Sequence, residues 1–364
     1  MTTCLLTLRV TPHKIRPILC DERLFTKKQG ERKTVLKKLL SIILLTIAVL
    51  SIVQSRPVLA ADLETGAKIF SAILILPFKT QALAGPKSST PISGKDFIVS
   101  GVEKAARGEL QQAIEDFTQA IALDSNLVVA YSNRCFVYIQ LEDYQHATED
   151  CTQALQRNPK NAEAYLNRGV AHYRQGRYQA AVADYNQLIT QLNPVDHRAY
   201  YNRGLVRFEQ KDYQGAIADY NQALRQILRQ DNQELATIYN DRGLAYLQQG
   251  NLSGATLDFS KAIRFNVNDS RAYYNRGCAC HRQGDYAGAI RDFTHSLLHH
   301  PNQAEAYVNR GLVRYKMGYK QAAFEDLRQG AKYFCDQGQM AAYHQTLKLI
   351  QTLRQPYPLS TKVA

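Results

Sequence analysis

The sequence predicts an all-α protein: a right-handed α-solenoid of seven helix-turn-helix repeats, closed by a C-terminal capping helix. Three observations predict it. A Tyr-x-Asn-Arg-Gly core recurs along the chain, as at Tyr165–Gly169, Tyr200–Gly204, Tyr273–Gly277 and Tyr307–Gly311, with variants at Tyr131–Cys135 and Tyr239–Gly243. The glycine sites, at 101, 135, 169, 204, 243, 277 and 311, are spaced by 34, 34, 35, 39, 34 and 34 residues. Twelve residues beyond each stands an alanine: Ala113, Ala147, Ala181, Ala216, Ala255, Ala289 and Ala323.

Four residues further comes a bulky series of Phe117, Cys151, Tyr185, Tyr220, Phe259, Phe293 and Leu327, and proline closes three units at Pro159, Pro194 and Pro301. A small residue on the first helix and an alanine on the second let two helices approach closely, and the aromatic fills the groove that remains. No single unit could bury its apolar face alone, but seven stacked units share a core. In period and in these marks, residues 97–334 resemble the tetratricopeptide repeat (TPR) family. Tyr stands for the usual Trp, and Arg for Leu before the glycine. After the repeats, 335–364 holds the apolar-periodic stretch Gln337–Arg354, expected to form the cap, and a tail.

Composition narrows the function. Hydrophobic residues make up 45% and charged residues 21% of the chain, as in a folded protein. The net charge of +13 is concentrated at the N-terminus: residues 1–60 carry +8 and the remaining 304 only +5, so no nucleic-acid partner is expected. Seven cysteines without a CxxC pair give no zinc spacing and are expected to form no disulfide framework.

Residues 1–60 read as an N-terminal extension and a secretory signal peptide. Lys37 and Lys38 precede an apolar run, Leu39–Val53, followed by small residues to Ala61. Cleavage near Ala60 is expected; the alternative is a membrane tether by Leu39–Val53. Initiation is expected at Val35, because the residues before it are long for a signal-peptide n-region. Ala61–Ala72 resembles the start of small c-type cytochromes of the cyanobacterial lumen and periplasm. That resemblance implies a cyanobacterial source and an address in the periplasm or thylakoid lumen. The CxxCH of that family is missing, so no haem or other cofactor is expected. The rest of 61–96 is a Pro/Gly/Ser-rich linker.

Resemblance to peptide-binding TPR proteins implies a groove lined by the residue two before each glycine: Asn133, Asn167, Asn202, Asp241, Asn275 and Asn309. An amide offers both a donor and an acceptor to an extended peptide backbone. Glu163, Arg198, Arg271 and Glu305 line it by family position and make it polar but near neutral. Structural bonding between neighbouring helices is the alternative for the amides. The Arg before each glycine and the Asp fifteen beyond recur in register: Asp116 with Arg134, Asp150 with Arg168, and so on through Asp184, Arg203, Asp219, Arg242, Asp258, Arg276, Asp292, Arg310 and Asp326. They are expected to pair between repeats. Cys278 with His281, and His295 with His299, share helix faces, but two ligands do not make a metal site.

No P-loop or nucleophile elbow is present, so no catalytic residue is assigned and the chain is not expected to be an enzyme. The expected function is a scaffold binding a protein or extended peptide, as an assembly or maturation factor. A structural, self-associating envelope component is the alternative. The 39-residue step before Gly243 is expected to lengthen the second helix of repeat 4 and its turn and to divide the groove there, with Asp241 selecting a basic group; a tolerated insertion on the outer surface without effect on binding is the alternative.

Overall fold

A computed structural model describes residues 93–227 and 232–354; the leader, the Val35 start and most of the linker lie outside them. The described residues form fifteen α-helices in antiparallel pairs. The first helices of the seven repeats are α1 (Gly94–Ala106), α3 (Val128–Gln140), α5 (Ala162–Arg174), α7 (His197–Glu209), α9 (Asn232–Gln249), α11 (Ser270–Gln283) and α13 (Ala304–Lys316). The second helices are α2 (Leu110–Leu123), α4 (Tyr144–Arg157), α6 (Tyr178–Gln187), α8 (Tyr213–Gln226), α10 (Leu252–Phe265), α12 (Tyr286–His299) and α14 (Lys320–Asp336), and α15 (Met340–Arg354) follows as the cap. No strand occurs among the described residues, and the array is an α-solenoid.

Short polar residues start many of these helices. Asn161 accepts from the Ala164 N–H, and Asp143, Asp212 and Asp285 cap second helices in the same way. Between the two helices of a unit the chain turns through a left-handed residue seven beyond the glycine site. Gly176 (φ 74°) and Gly250 (φ 85°) suit that conformation, whereas repeats 2 and 4 place Glu142 (φ 59°) and Lys211 (φ 64°) there.

Inside each unit the repeat alanines are fully buried, and in every unit but repeat 2 the bulky residue packs on its own glycine. A Cβ at Gly101 would lie 2.7 Å from the Phe117 ring, and one at Gly169 only 2.5 Å from Tyr185. Sterics therefore impose the glycine, and the ring fills the space within its own repeat as well as facing the neighbour.

Both irregular spacings have a structural cause. The one extra residue in repeat 3 is absorbed at the end of α6 as a π-turn, Leu188–Leu192, where the Asn193 N–H bonds back to the Leu188 carbonyl at 2.8 Å. The five extra residues before Gly243 correct the expectation for repeat 4. α8 ends at Gln226 with the same 14 residues as α4, whereas α9 begins early and runs 18 residues against 13 in α7. The added turn belongs to the first helix of repeat 5. Its buried Leu235 packs with Tyr201 and Ile227, and that burial draws the segment into the helix.

Candidate interaction surface

One side chain organises each repeat: the arginine preceding the glycine. Arg168 donates to Asp184 through Nε (3.0 Å) and Nη2 (2.7 Å), and the same two-pronged grip joins Arg134 to Asp150, Arg203 to Asp219, Arg242 to Asp258, Arg276 to Asp292 and Arg310 to Asp326. These pairs lie within one repeat, so the expected pairing of Asp116 with Arg134, and of its successors, is corrected. The aspartate opposite each arginine is sixteen residues ahead, on the antiparallel second helix.

The link between repeats runs through the third nitrogen. Nη1 of Arg134 reaches Thr118 (2.8 Å), that of Arg276 reaches Ser260 (3.1 Å) and that of Arg310 reaches Thr294 (3.0 Å), each in the preceding repeat. Asn186 and Asn221 take this place for Arg203 and Arg242. Each guanidinium also lies 5.3–5.9 Å from the ring centre of the tyrosine three residues before it. In repeat 1 Ser100 stands for the arginine and donates to Asp116 (2.6 Å), while Lys104 supplies the charge at 2.7 Å. The Arg–Asp series is scaffold.

The amide series also bonds within the array. Asn309 donates to the Tyr274 hydroxyl (2.8 Å), Asn275 to Asn240 (2.9 Å), and Tyr201 donates to Asp241 (2.8 Å), each across neighbouring first helices. Asn167, Asn202 and Asn309 are buried, with 4%, 7% and 3% of their surface exposed, so their side chains are not offered to a partner. Asn133, Asn275 and Asp241 stay half-buried. Although its side chain is 56% exposed, Arg271 feels some burial that opposes its charge; the carboxylates of Asp269 and Asp241 outweigh it and raise the pKa.

The charges assigned to the groove are largely compensated. Arg198 holds Glu163 at 2.7 and 3.2 Å and its own cap Asp196 at 2.8 Å; burial opposes its charge, and these two carboxylates raise its pKa regardless. Arg271 bonds Asp269 at 3.2 Å, and Glu305 is half-buried. Half-buried apolar side chains recur one residue past the glycine site on the first helices of repeats 2–5, at Phe136, Val170, Leu205 and Leu244, and again at Leu312 in repeat 7, with the buried Cys278 between. A separate open cleft of about 330 Å³ lies between repeats 4 and 5 near Arg225, Tyr239 and Lys261.

The remaining candidates find structural uses. His295 and His299 both stack on Tyr273, with ring centres 5.1 and 5.7 Å away. Cys278 and Cys280 are buried, and burial pushes the Cys280 thiol up to about 11. No cluster of three metal-ligating side chains, and no helix long and apolar enough to cross a membrane, occurs among the described residues. One expectation about cysteine is overturned: Cys135 and Cys151 are joined by a disulfide, with their Cα atoms 5.5 Å apart. The available signal was positional, because in repeat 2 these two residues occupy the glycine site and the bulky site that touch in every other unit.

Three models described as tetratricopeptide repeat match residues 137–192, 196–266 and 270–303. No curated protein matches the chain in sequence. Among solved structures it is similar to a tetratricopeptide repeat protein of Parabacteroides merdae (21% identity, 70% of this chain and 98% of that one, TM-score 0.53). It is also similar to PilW, a type IV pilus biogenesis factor (19% identity, 58% and 96%, TM-score 0.53), and to pilF of Pseudomonas aeruginosa (19% identity, 62% and 96%, TM-score 0.51). At these identities the likeness establishes the fold alone. Repeat matches, fold and the internal Tyr–Arg–Asp register agree: the chain carries an array of tetratricopeptide repeats.

Proposed function

We propose that this protein is an interaction scaffold whose first helices receive an extended segment of a partner protein, and that it serves as an assembly or maturation factor outside the cytoplasm. The observation that carries the reading is the apolar row Phe136, Val170, Leu205 and Leu244, partly exposed at one register on the first helices of repeats 2–5 and resumed at Leu312 in repeat 7 beyond the buried Cys278, with Arg198 and Arg271 already paired within the array. Such a strip favours apolar side chains of a peptide over a highly charged ligand. Support for the location comes from the Leu39–Val53 leader and from the cytochrome-like Ala61–Ala72, which point to a lumenal or periplasmic address in a cyanobacterium. PilW, with this fold, is a biogenesis factor, and an assembly role here follows that analogy.

The test is capture from exported and membrane fractions with the full chain, alongside Leu205→Glu and Leu244→Glu. Substoichiometric clients lost in both variants are expected. Clients retained by both variants would remove this strip as the binding site. Stoichiometric recovery of the protein with itself alone would favour a self-associating structural component.

A further inference from the structure

In five repeats the glycine of the first helix accepts a Phe or Tyr ring from the second, at a distance that excludes any Cβ: 2.7 Å at Gly101, 2.5 Å at Gly169, 2.7 Å at Gly204 and Gly243, and 2.9 Å at Gly277. Repeat 2 breaks this rule at both members together, with Cys135 at the glycine site and Cys151 at the ring site. Neither change is tolerable alone. A side chain at 135 would strike a ring at 151, and a lone thiol at 151 would leave most of the ring's volume empty. Joined, the two sulfurs occupy the contact between α3 and α4 with both residues fully buried.

We propose that Cys135 and Cys151 form a dedicated oxidation site, and that docking of the two helices of repeat 2, and with it the N-terminal end of the array, is completed only in a compartment that oxidises thiols. The oxidant is the disulfide of a thiol–disulfide oxidoreductase. One cysteine thiolate attacks an oxidant sulfur, giving a mixed disulfide and releasing one oxidant thiolate. The second cysteine thiolate then attacks the sulfur of the first, forms the Cys135–Cys151 bond and expels the other oxidant thiolate. Two protons and two electrons leave the protein, and the oxidant becomes a dithiol. Because both sulfurs are buried in the folded unit, the site is structural and does not exchange with solutes unless repeat 2 opens. The bond closes a sixteen-residue separation, whose loop entropy corresponds to stabilisation by about 3 kcal/mol, or a change on the order of a hundredfold in the opening equilibrium. This inference rests on the repeat geometry and not on the identity of any partner.

The full chain recovered from the exported fraction, alkylated under denaturing conditions without reductant, should yield a Cys135–Cys151 linked peptide pair and an alkylated, exposed Cys335. Free thiols at both 135 and 151 in that material would overturn the proposal. Hydrogen exchange with and without reductant gives the second arm. In the wild type, amides of α3 and α4 should exchange on the order of a hundredfold faster when reduced, while repeats 5–7 stay unchanged. Cys135→Gly/Cys151→Phe restores the pair found in repeat 1 and should be protected under both conditions. Cys135→Ala/Cys151→Ala should exchange at the fast rate under both conditions, so a folding failure of the first variant leaves the comparison intact. Equal protection of reduced and oxidised wild type would overturn the proposal. A linked pair found in a protein that captures no client would refute the scaffold reading and leave the oxidation site standing.

Discussion

Arg242 closes on Asp258 through two parallel hydrogen bonds, Nε to Oδ2 at 2.6 Å and Nη2 to Oδ1 at 2.8 Å, and among the described residues Asp258 has no second cation in its ion pairs. One repeat earlier the arrangement differs in a single respect: Arg203 grips Asp219, and Arg207 adds a third bond at 2.9 Å. Removing the cation that holds a buried carboxylate strands its charge. Arg242→Leu should cost about 3–5 kcal/mol. Arg203→Leu should cost about 2 kcal/mol less, because Arg207 remains. Equal losses in denaturant unfolding would show that the aspartates do not depend on these cations.

The left-handed turn residues give a stabilising prediction. Glu142 and Lys211 hold φ values of 59° and 64°, where other repeats have glycine. A side chain there costs about 1–2 kcal/mol, against about 0.5–1 kcal/mol of extra backbone entropy lost by glycine. Glu142→Gly and Lys211→Gly should each raise stability by up to about 1 kcal/mol. A fall in the denaturation midpoint in either variant would contradict this.

Close packing at the glycine site is testable in repeat 3. A Cβ at Gly169 would lie 2.5 Å from a Tyr185 ring that is 1% exposed. Gly169→Ala should destabilise by about 1–3 kcal/mol. Adding Tyr185→Leu, the residue type repeat 7 uses at Leu327, should recover part of the loss. A strictly additive double variant would place the cause elsewhere.

His172 gives a pH signature. Burial lowers its pKa from the ordinary 6.5, with Asp184 at 3.9 Å opposing the shift. The unfolded chain therefore takes up the proton first. The neutral ring's contribution is complete above about pH 6.5 and is lost as the pH falls through the lowered folded value. Exposed His146, whose hydrogen bond to Asp143 raises its pKa, acts in the opposite direction. His172→Gln should lose less stability than the wild type between about pH 7 and 5.5. An unchanged difference between the two proteins across that window would refute the assignment.

Partner binding should weaken only modestly with salt. Arg198 is already held by Glu163 and Asp196, and Arg271 by Asp269, so few unpaired charges remain for screening. A steep loss of affinity from low to physiological ionic strength, measured by calorimetry on the captured client, would contradict this.

The sequence by itself determined the architecture. A period near 34, an alanine in all seven units and a glycine–aromatic pair in five of them each reflect a local steric demand that recurs, and repetition makes a local demand visible. It also disclosed which residues recur together, including the Arg–Asp series. Tertiary structure decided with whom they recur. Arg134 could face Asp116 or Asp150 on spacing alone, and only the antiparallel packing of α3 on α4 brings Asp150 within 2.7 Å and turns the remaining nitrogen toward Thr118. The same holds for the inserted turn, which joined α9 because Leu235 found a core. It holds for Asn167, Asn202 and Asn309, which neighbouring helices enclose. Cys135 and Cys151 were each legible as a departure from the pattern. Their bond required the contact between two helices, a property of distance in space and not of position along the chain.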